Sequence, residues 1–200
     1  MHNMTLETLR RAQILDATLR TISELGIQRV TLDDIAAASG LSKGGLAHYF
    51  ASKEILFKEA FREFFERIFI RSRETMDLCR TPLDKLLSFG WLYNWEDPDV
   101  NIGYPVLFDC MAMAAHDAEY RSLFHEWVDN WIAMLAGAIA EGNKTGEFSI
   151  TDVDGVARAI SSVYHGIAVR WYLDRDAHSS QWAVMSFTRA IYGLLKKQVH

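Results

Sequence analysis

The sequence predicts an all-α protein of about nine helices, with a short N-terminal group followed by a larger C-terminal bundle. Apolar residues recur three and four apart along nearly the whole chain, the spacing that gathers them on one face of a helix. Ser, Thr, Asp and Pro at helix-starting positions and Gly at stopping positions punctuate that pattern. No stretch alternates apolar and polar residues as a half-buried strand does, and there are no internal repeats or low-complexity tracts.

In order, Ile14, Ala17, Ile22 and Leu25 mark a first helix from about Thr5 to Leu25, and Gly26 stops it. Thr31 caps a second helix and pairs with Asp34 as a weak capping box. Gly40, Leu41 and Ser42 form a turn, and Ser42 caps a third helix from Lys43 to about Phe50. Ser52 starts a long fourth helix, with Ile55, Leu56, Phe61, Phe64, Phe65 and Ile68 on its apolar side, running to about Leu78. Thr81-Pro82 starts a fifth that ends near Tyr93, and Asn94 to Asp99 reads as a loop. Pro105 is expected to open a sixth, ending around Ala115. Asp117 caps a seventh, Glu141 to Ser149 reads as a loop, and Thr151-Asp152 starts an eighth. After a break at Asp174 to His178, Ser179 or Ser180 starts a ninth, ending at about Lys197.

The 200 residues are 50% hydrophobic and 24% charged, with a mean hydropathy of −0.04, which describes a folded globular chain rather than a disordered one. No apolar run approaches the roughly 18 residues of a membrane span, and the start MHNMTLETLRRAQ lacks a signal core. A cytoplasmic protein is expected, with no membrane partner. Cys79 and Cys110 stand far apart, in neither a disulfide framework nor a metal-ligand spacing, and His125 with Asp129 is an isolated pair. Neither a metal nor a cofactor is expected. The net charge of −5 is unevenly spread: residues 1–54 hold six Lys/Arg and six Asp/Glu, leaving fifteen against twenty for the rest. DNA affinity in a balanced N-terminal part must come from a few placed contacts rather than a broad basic face.

Thr31 to Lys53, TLDDIAAASGLSKGGLAHYFASK, reads as two short helices joined by a tight turn, with Lys53 at the start of the next helix. That is the pattern of a helix-turn-helix whose second helix enters the DNA major groove. Lys43 at the exposed start of the third helix can reach guanine N7 and O6, while Gly44 and Gly45 let the backbone approach the sugar-phosphate. His48 and Tyr49, one turn on, can donate to phosphate. Lys53 and Thr31, each at a helix start, can anchor phosphates. The run Gly40-Leu41-Ser42-Lys43-Gly44 also matches GxSxG, the hydrolase nucleophile elbow, but that elbow needs a buried strand before Ser. Ile35-Ala36-Ala37-Ala38-Ser39 instead follows a capped helix start, so Ser42 is expected as a cap and the protein is expected not to be an enzyme.

Residues 14 to 57, ILDATLRTISELGIQRVTLDDIAAASGLSKGGLAHYFASKEILF, resemble without a gap the N-terminal domain of the TetR family of one-component repressors. Leu46, His48, Tyr49 and Phe50 followed by Ser52, Lys53 and Glu54 match a family run. The chain departs from it at Gly45, usually Thr or Ser, and at Ala47, usually Tyr. The resemblance implies a helix-turn-helix DNA-binding domain over residues 1–53, with Thr31, Ser42, Lys43, Gly44, Gly45, His48, Tyr49 and Lys53 at the DNA. The fourth helix joins it to an effector-binding and dimerisation domain over residues 54–200.

The resemblance also implies a homodimer built on the last two helices, where Ile160, Tyr164, Ile167 and Trp171 face Phe187, Ala190, Ile191 and Leu194 with more apolar surface than one bundle core needs. Similar repressors hold a small-molecule effector in the region of helices five to seven. Trp91, Trp95, Tyr104, Phe108, Asp109, Met111, Trp127 and Trp131 are the candidates, and the acids interleaved with the rings suit a cationic as well as an apolar or aromatic ligand. The expected function is a ligand-responsive repressor that binds a palindromic double-stranded operator as a dimer. An activator of the same family and a helical small-molecule-binding protein without a DNA role are the alternatives.

Overall fold

The computed structural model describes residues 6–196. Among them are nine α-helices: α1 (Leu6–Leu25), α2 (Leu32–Ser39), α3 (Lys43–Tyr49), α4 (Lys53–Asp77), α5 (Pro82–Leu87), α6 (Pro98–Ala114), α7 (Ala118–Thr145), α8 (Val153–Leu173) and α9 (Ser180–Lys196). A 3-10 stretch covers Ser88–Tyr93, and the described residues contain no strand. Thr5 and Lys197, the expected ends of the first and last helices, lie outside the described residues.

Three element boundaries differ from expectation. α6 begins at Pro98, and Pro105 lies inside it. Asp97 and Pro98 are the true start signal: the Asp97 carboxylate accepts from the Asp99 amide at 3.0 Å, and Pro occupies the first helical position, where no amide is needed. A proline inside a helix removes the amide that would serve the carbonyl four residues back. Here that carbonyl, on Asn101, accepts from the Ser23 hydroxyl of α1 at 3.4 Å. The fifth helix stops at Leu87, and the chain tightens into the 3-10 stretch around Phe89, which is completely buried. α7 runs on to Thr145. Gly142 lies within it because the Phe148 ring packs on its bare Cα, and the amides of Glu147 and Phe148 return to the Gly142 carbonyl at 2.9 and 3.0 Å.

The chain forms two compact units, one of residues up to Arg67 with Asn101–Phe124, the other of Ile68–Val100 with residues from His125 onward. In the first, α1 packs on α2 and α2 on α3 around Ile14, Leu19, Ile22, Ile35 and Leu46, each at most 2% exposed. The apolar side of α4 adds Leu56, Phe61 and Phe64, with Phe61 meeting the Tyr120 ring edge-on at 5.8 Å. Lys58 is buried yet charged: Glu54 takes its ammonium at 2.5 Å, Glu119 takes it too, and Tyr120 lies beneath it. The stop of α1 is tied to α6, where the Ile27 amide donates to the Asp109 carboxylate at 2.7 Å.

In the second unit α8 and α9 pack together over a continuous aromatic core. Tyr164 holds it in place: its hydroxyl donates to the Leu86 carbonyl at 2.7 Å, its own carbonyl accepts from the Tyr93 hydroxyl at 3.0 Å, and its ring meets Phe89 and Phe187 at 5.4 and 4.8 Å. These two bonds keep the buried Tyr93 and Tyr164 hydroxyls paired inside the apolar core, as most buried polar groups are.

Candidate functional site

Short-range chemistry fixes the geometry of Thr31 to Lys53. Thr31 is the N-cap of α2 in an extended conformation, accepting from the Asp34 amide at 3.2 Å, while its own amide and hydroxyl donate to the Asp34 carboxylate at 2.8 and 2.7 Å. Those bonds hold the Asp34 carboxyl below its usual range. Both Thr31 donors are thus directed at Asp34, and a phosphate would have to draw them away. Gly40 ends α2 with φ of 66°, the left-handed conformation that favours glycine. Ser42 then caps α3, its hydroxyl accepting from the Gly45 amide at 3.1 Å. It is a cap, as the sequence indicates, and no strand precedes it.

The exposed side of α3 is small and polar. Lys43 is solvent-exposed and pairs with Asp33 of α2 at 3.1 Å, an exposed pair worth at most about 1 kcal/mol and easily exchanged for DNA. A Cβ on Gly44 would meet nothing closer than the Ser42 hydroxyl at 4.0 Å, and one on Gly45 would touch Leu41 and Ser42 at 3.4 Å. Gly44 leaves its backbone bare toward solvent, while Gly45 is half-buried against Leu41 and Ser42. His48 and Tyr49 meet edge-to-face at 5.3 Å at the far end of the helix. Lys53 opens α4 beside the Ser52 cap, its ammonium 5.1 Å from the Phe57 ring centre. Six of the eight candidate DNA residues therefore lie on α3 or its cap, with Thr31 and Lys53 at the starts of the flanking helices.

The family comparison agrees with this geometry. Residues 14–60 match the model for bacterial regulatory proteins of the tetR family, and residues 103–196 match the C-terminal model of BetI-type transcriptional repressors. The chain belongs to the TetR family.

Among its TetR-family relatives, the repressor KstR2 of Mycobacterium tuberculosis H37Rv is 26% identical over 94% of this chain and 94% of its own length. The regulator BetI of Burkholderia ambifaria is 29% identical over 62% of this chain and 65% of its own. In fold, the chain is similar to a transcriptional regulator from Saccharomonospora viridis in complex with choline, with a TM-score of 0.83, 22% identity, and 92% and 96% of the two chains covered. A TetR-family regulator from Cytophaga hutchinsonii matches at a TM-score of 0.83, with 23% identity over 98% of this chain and all of its own. The protein is a DNA-binding transcriptional repressor; its family and relatives are regulators of transcription, not enzymes. No helix among the described residues is long and apolar enough to cross a membrane.

The expected effector residues divide between the two units. Trp91, Trp95, Trp127 and Trp131 belong to the second unit, whereas Tyr104, Phe108, Asp109 and Met111 belong to the first. Asp109 is committed to the Ile27 amide, and burial raises its carboxyl above the ordinary range. Met111 is exposed, and Tyr104 is buried beside Phe108 at 6.1 Å. In the second unit, Trp131 is core, 4.6 Å from Phe89, and Trp127 meets His165 edge-to-face at 5.4 Å. Trp91 and Trp95 already face cations. The Arg71 guanidinium, bonded to Asp97 and Asp99 at 2.9 Å, lies 3.9 Å over Trp91. Arg175 lies 3.4 Å over Trp95, whose other neighbour, Trp171, stacks at 3.9 Å.

The expected dimerisation residues divide sharply. Ile160, Tyr164, Trp171, Phe187 and Ile191 are at most 3% exposed within the single chain, while Ile167, Ala190 and Leu194 are half-buried. The first five fill the chain's own core because α8 and α9 turn those faces toward each other, the 3-10 stretch and α5. The apolar residues left outside on α8 and α9 are Val169, Leu173, Val184, Met185 and Tyr192. An apolar stripe in the sequence shows which side of a helix is buried and not what a second stripe beside it meets. Nor does the sequence signal that Arg11 pairs with Glu59, Arg71 with Asp97, or that Arg175 covers Trp95.

Proposed function

We propose that this repressor binds a two-fold-symmetric operator as a homodimer and is released from it by a small apolar effector that carries a positive charge. The observation that carries the DNA reading is the doubly capped α2–turn–α3 unit, which presents Lys43, the bare Gly44 backbone with the side-chain-free Gly45 next to it, His48 and Tyr49 on one short helix. Thr31, Ser42 and Lys53 set and flank it. Two such helices related by a dyad read half-sites about one DNA turn apart. By function, residues 1–53 form the DNA head and residues 54–200 the effector and dimer body; such a regulator works in the cytoplasm, where the chromosome is.

The effector reading rests on Trp91, Trp95, Trp127 and Trp131 of the second unit. Two of these indoles already carry guanidinium groups on their faces at 3.9 and 3.4 Å, the attraction that aromatic sites use to hold organic cations. The fold neighbour in complex with choline, a quaternary ammonium, supports the same class. The dimer reading rests on Val169, Leu173, Val184, Met185 and Tyr192, with the half-buried Ile167, Ala190 and Leu194 at its margin. A tenfold release needs about 1.4 kcal/mol of coupling, and operator must weaken effector binding equally.

The test is a gel shift of full-length protein on the DNA upstream of its own gene, against competitor DNA, titrated with choline. A shift that survives competitor and is reversed by choline is expected. Binding no tighter than to competitor at any salt defeats the operator reading, and a shift untouched by choline and by bulkier aryl ammonium ions defeats the cationic effector.

A further inference from the structure

We propose that Arg11 of α1 is a positioning residue for DNA reading: its guanidinium ties the last carbonyl of α3 to Glu59 of α4 and so sets the angle at which α3 is presented. All three groups lie in the first unit, and the proposal rests on α3 being the reading helix.

α3 has seven residues and buries one side chain fully, Leu46. A helix so short has no stability of its own and takes its direction from what holds its ends. Ser42 fixes the first end. At the other, the Phe50 amide closes the final internal bond to Leu46 at 3.1 Å, and the Tyr49 carbonyl is taken by Arg11 Nη1 at 2.8 Å. Arg11 Nη2 pairs with the Glu59 carboxylate, and the guanidinium lies 4.4 Å over the ring of Phe50, itself 5% exposed. A planar fork with two acceptors and a stacked ring has one orientation, whereas an ammonium in its place is a point charge that fixes none. The neighbouring Arg10 reaches the Gly40 carbonyl only at 3.5 Å, so the firm grip is at the far end.

Magnitude shows why that end matters. Seven residues span about 10 Å, so a tilt of about 10° about the capped start moves the far end by about 2 Å, more than a hydrogen bond tolerates. His48 and Tyr49 sit there, where only a correctly seated α3 brings them to the DNA, and the same tilt re-aims Lys43 away from the base edges it reads. Losing Arg11 should therefore cost sequence discrimination while leaving attraction to any phosphate backbone in place. Because Glu59 is on α4, the same fork makes α3 follow movement of the first turns of α4.

The experiment compares full-length wild type with Arg11→Ala, Arg11→Lys, Glu59→Gln and Lys43→Ala on two duplexes across salt: one selected by wild type from a random pool, and its scrambled version. Arg11→Ala should lose tenfold or more on the selected duplex and nothing on the scrambled one, with an unchanged salt slope. Arg11→Lys should recover part of the loss, Glu59→Gln should lose less in the same direction, and combining it with Arg11→Ala should add nothing. Equal loss on both duplexes with a slope reduced by about one would make Arg11 a phosphate contact and overturn the proposal, as would no loss at all. Should Arg11→Ala fail to fold, Glu59→Gln decides by the same criterion. Unaltered preference in both Lys43→Ala and Arg11→Ala would show that α3 is not the reading helix, and the proposal would fall with that reading rather than on its own account.

Discussion

A Cβ on Gly103 of α6 would stand 2.7 Å from Cζ of Phe64 on α4, so the two helices meet ring against bare backbone. Phe64 is 4% exposed and Phe65 packs beside it at 5.7 Å, which leaves the ring little room to yield. Gly103→Ala should therefore destabilise the protein by about 1–3 kcal/mol, the usual cost of overpacking, despite alanine's better helix propensity. Urea unfolding measures it. Phe64→Leu in the Gly103→Ala background should recover part of the loss, and a Gly103→Ala variant more stable than wild type would show that the ring moves freely.

The two lysines at the candidate DNA face should behave differently. Lys43 stands at the start of α3 beside Asp33, whereas Lys53 opens α4 against Phe57. Lys43→Ala should flatten the preference among operator variants. Lys53→Ala should weaken all DNA alike and lower the salt slope by about one. Binding titrations at several salt concentrations separate them: an unchanged slope removes Lys53 from the phosphates, and a uniform loss demotes Lys43 to a backbone contact.

The capping signals were legible because they are local: Thr31, Ser42, Thr81 and Asp152 each accept an amide within three residues, as their spacing implies. Pro105 and Gly142 misled because each breaks a local rule that a partner outside its helix makes tolerable, the Ser23 hydroxyl at one and the Phe148 ring at the other. The helix-turn-helix itself was legible because its caps and turn, and six of the eight candidate DNA residues, lie close together in the chain. The sequence does not show how the aromatic residues are grouped, since Trp91 and Phe108 are alike in kind yet fall in different compact units. Arg11 gave no periodic signal at all; its partners are 38 and 48 residues away.

His165 should make the protein acid-sensitive. Its Nδ1 lies 2.8 Å from the Ser161 carbonyl, and burial holds its pKa below the ordinary imidazole value. The unfolded chain takes up a proton near pH 6.5 while the native state resists, so more protons are bound unfolded in that window and stability falls as pH drops. Above the ordinary value the contribution is fully present; it is lost progressively down to the depressed folded pKa. Thermal unfolding between pH 5 and 8 should show the midpoint declining below about pH 6.5, and His165→Gln should blunt that decline. An equally steep decline in the variant assigns the acid sensitivity to another group.

The outer face of α8 and α9 gives a prediction with two opposed arms. Leu173 is 67% exposed and Met185 55%, so neither supports the chain's own core, and their replacement by charge costs a monomer almost nothing. If that face is the dimer contact, Leu173→Asp with Met185→Lys should yield folded monomers by sedimentation, with operator binding weakened because the two heads are no longer linked. Tyr164→Phe, by contrast, should leave the dimer intact among folded molecules. It removes the hydroxyl that donates to the Leu86 carbonyl at 2.7 Å, leaving a buried acceptor unpaired at a cost of about 1–3 kcal/mol. A dimer that survives both outer substitutions places the interface on another face. Dissociation by Tyr164→Phe at unchanged stability would mean that the inner residues contact the partner after all.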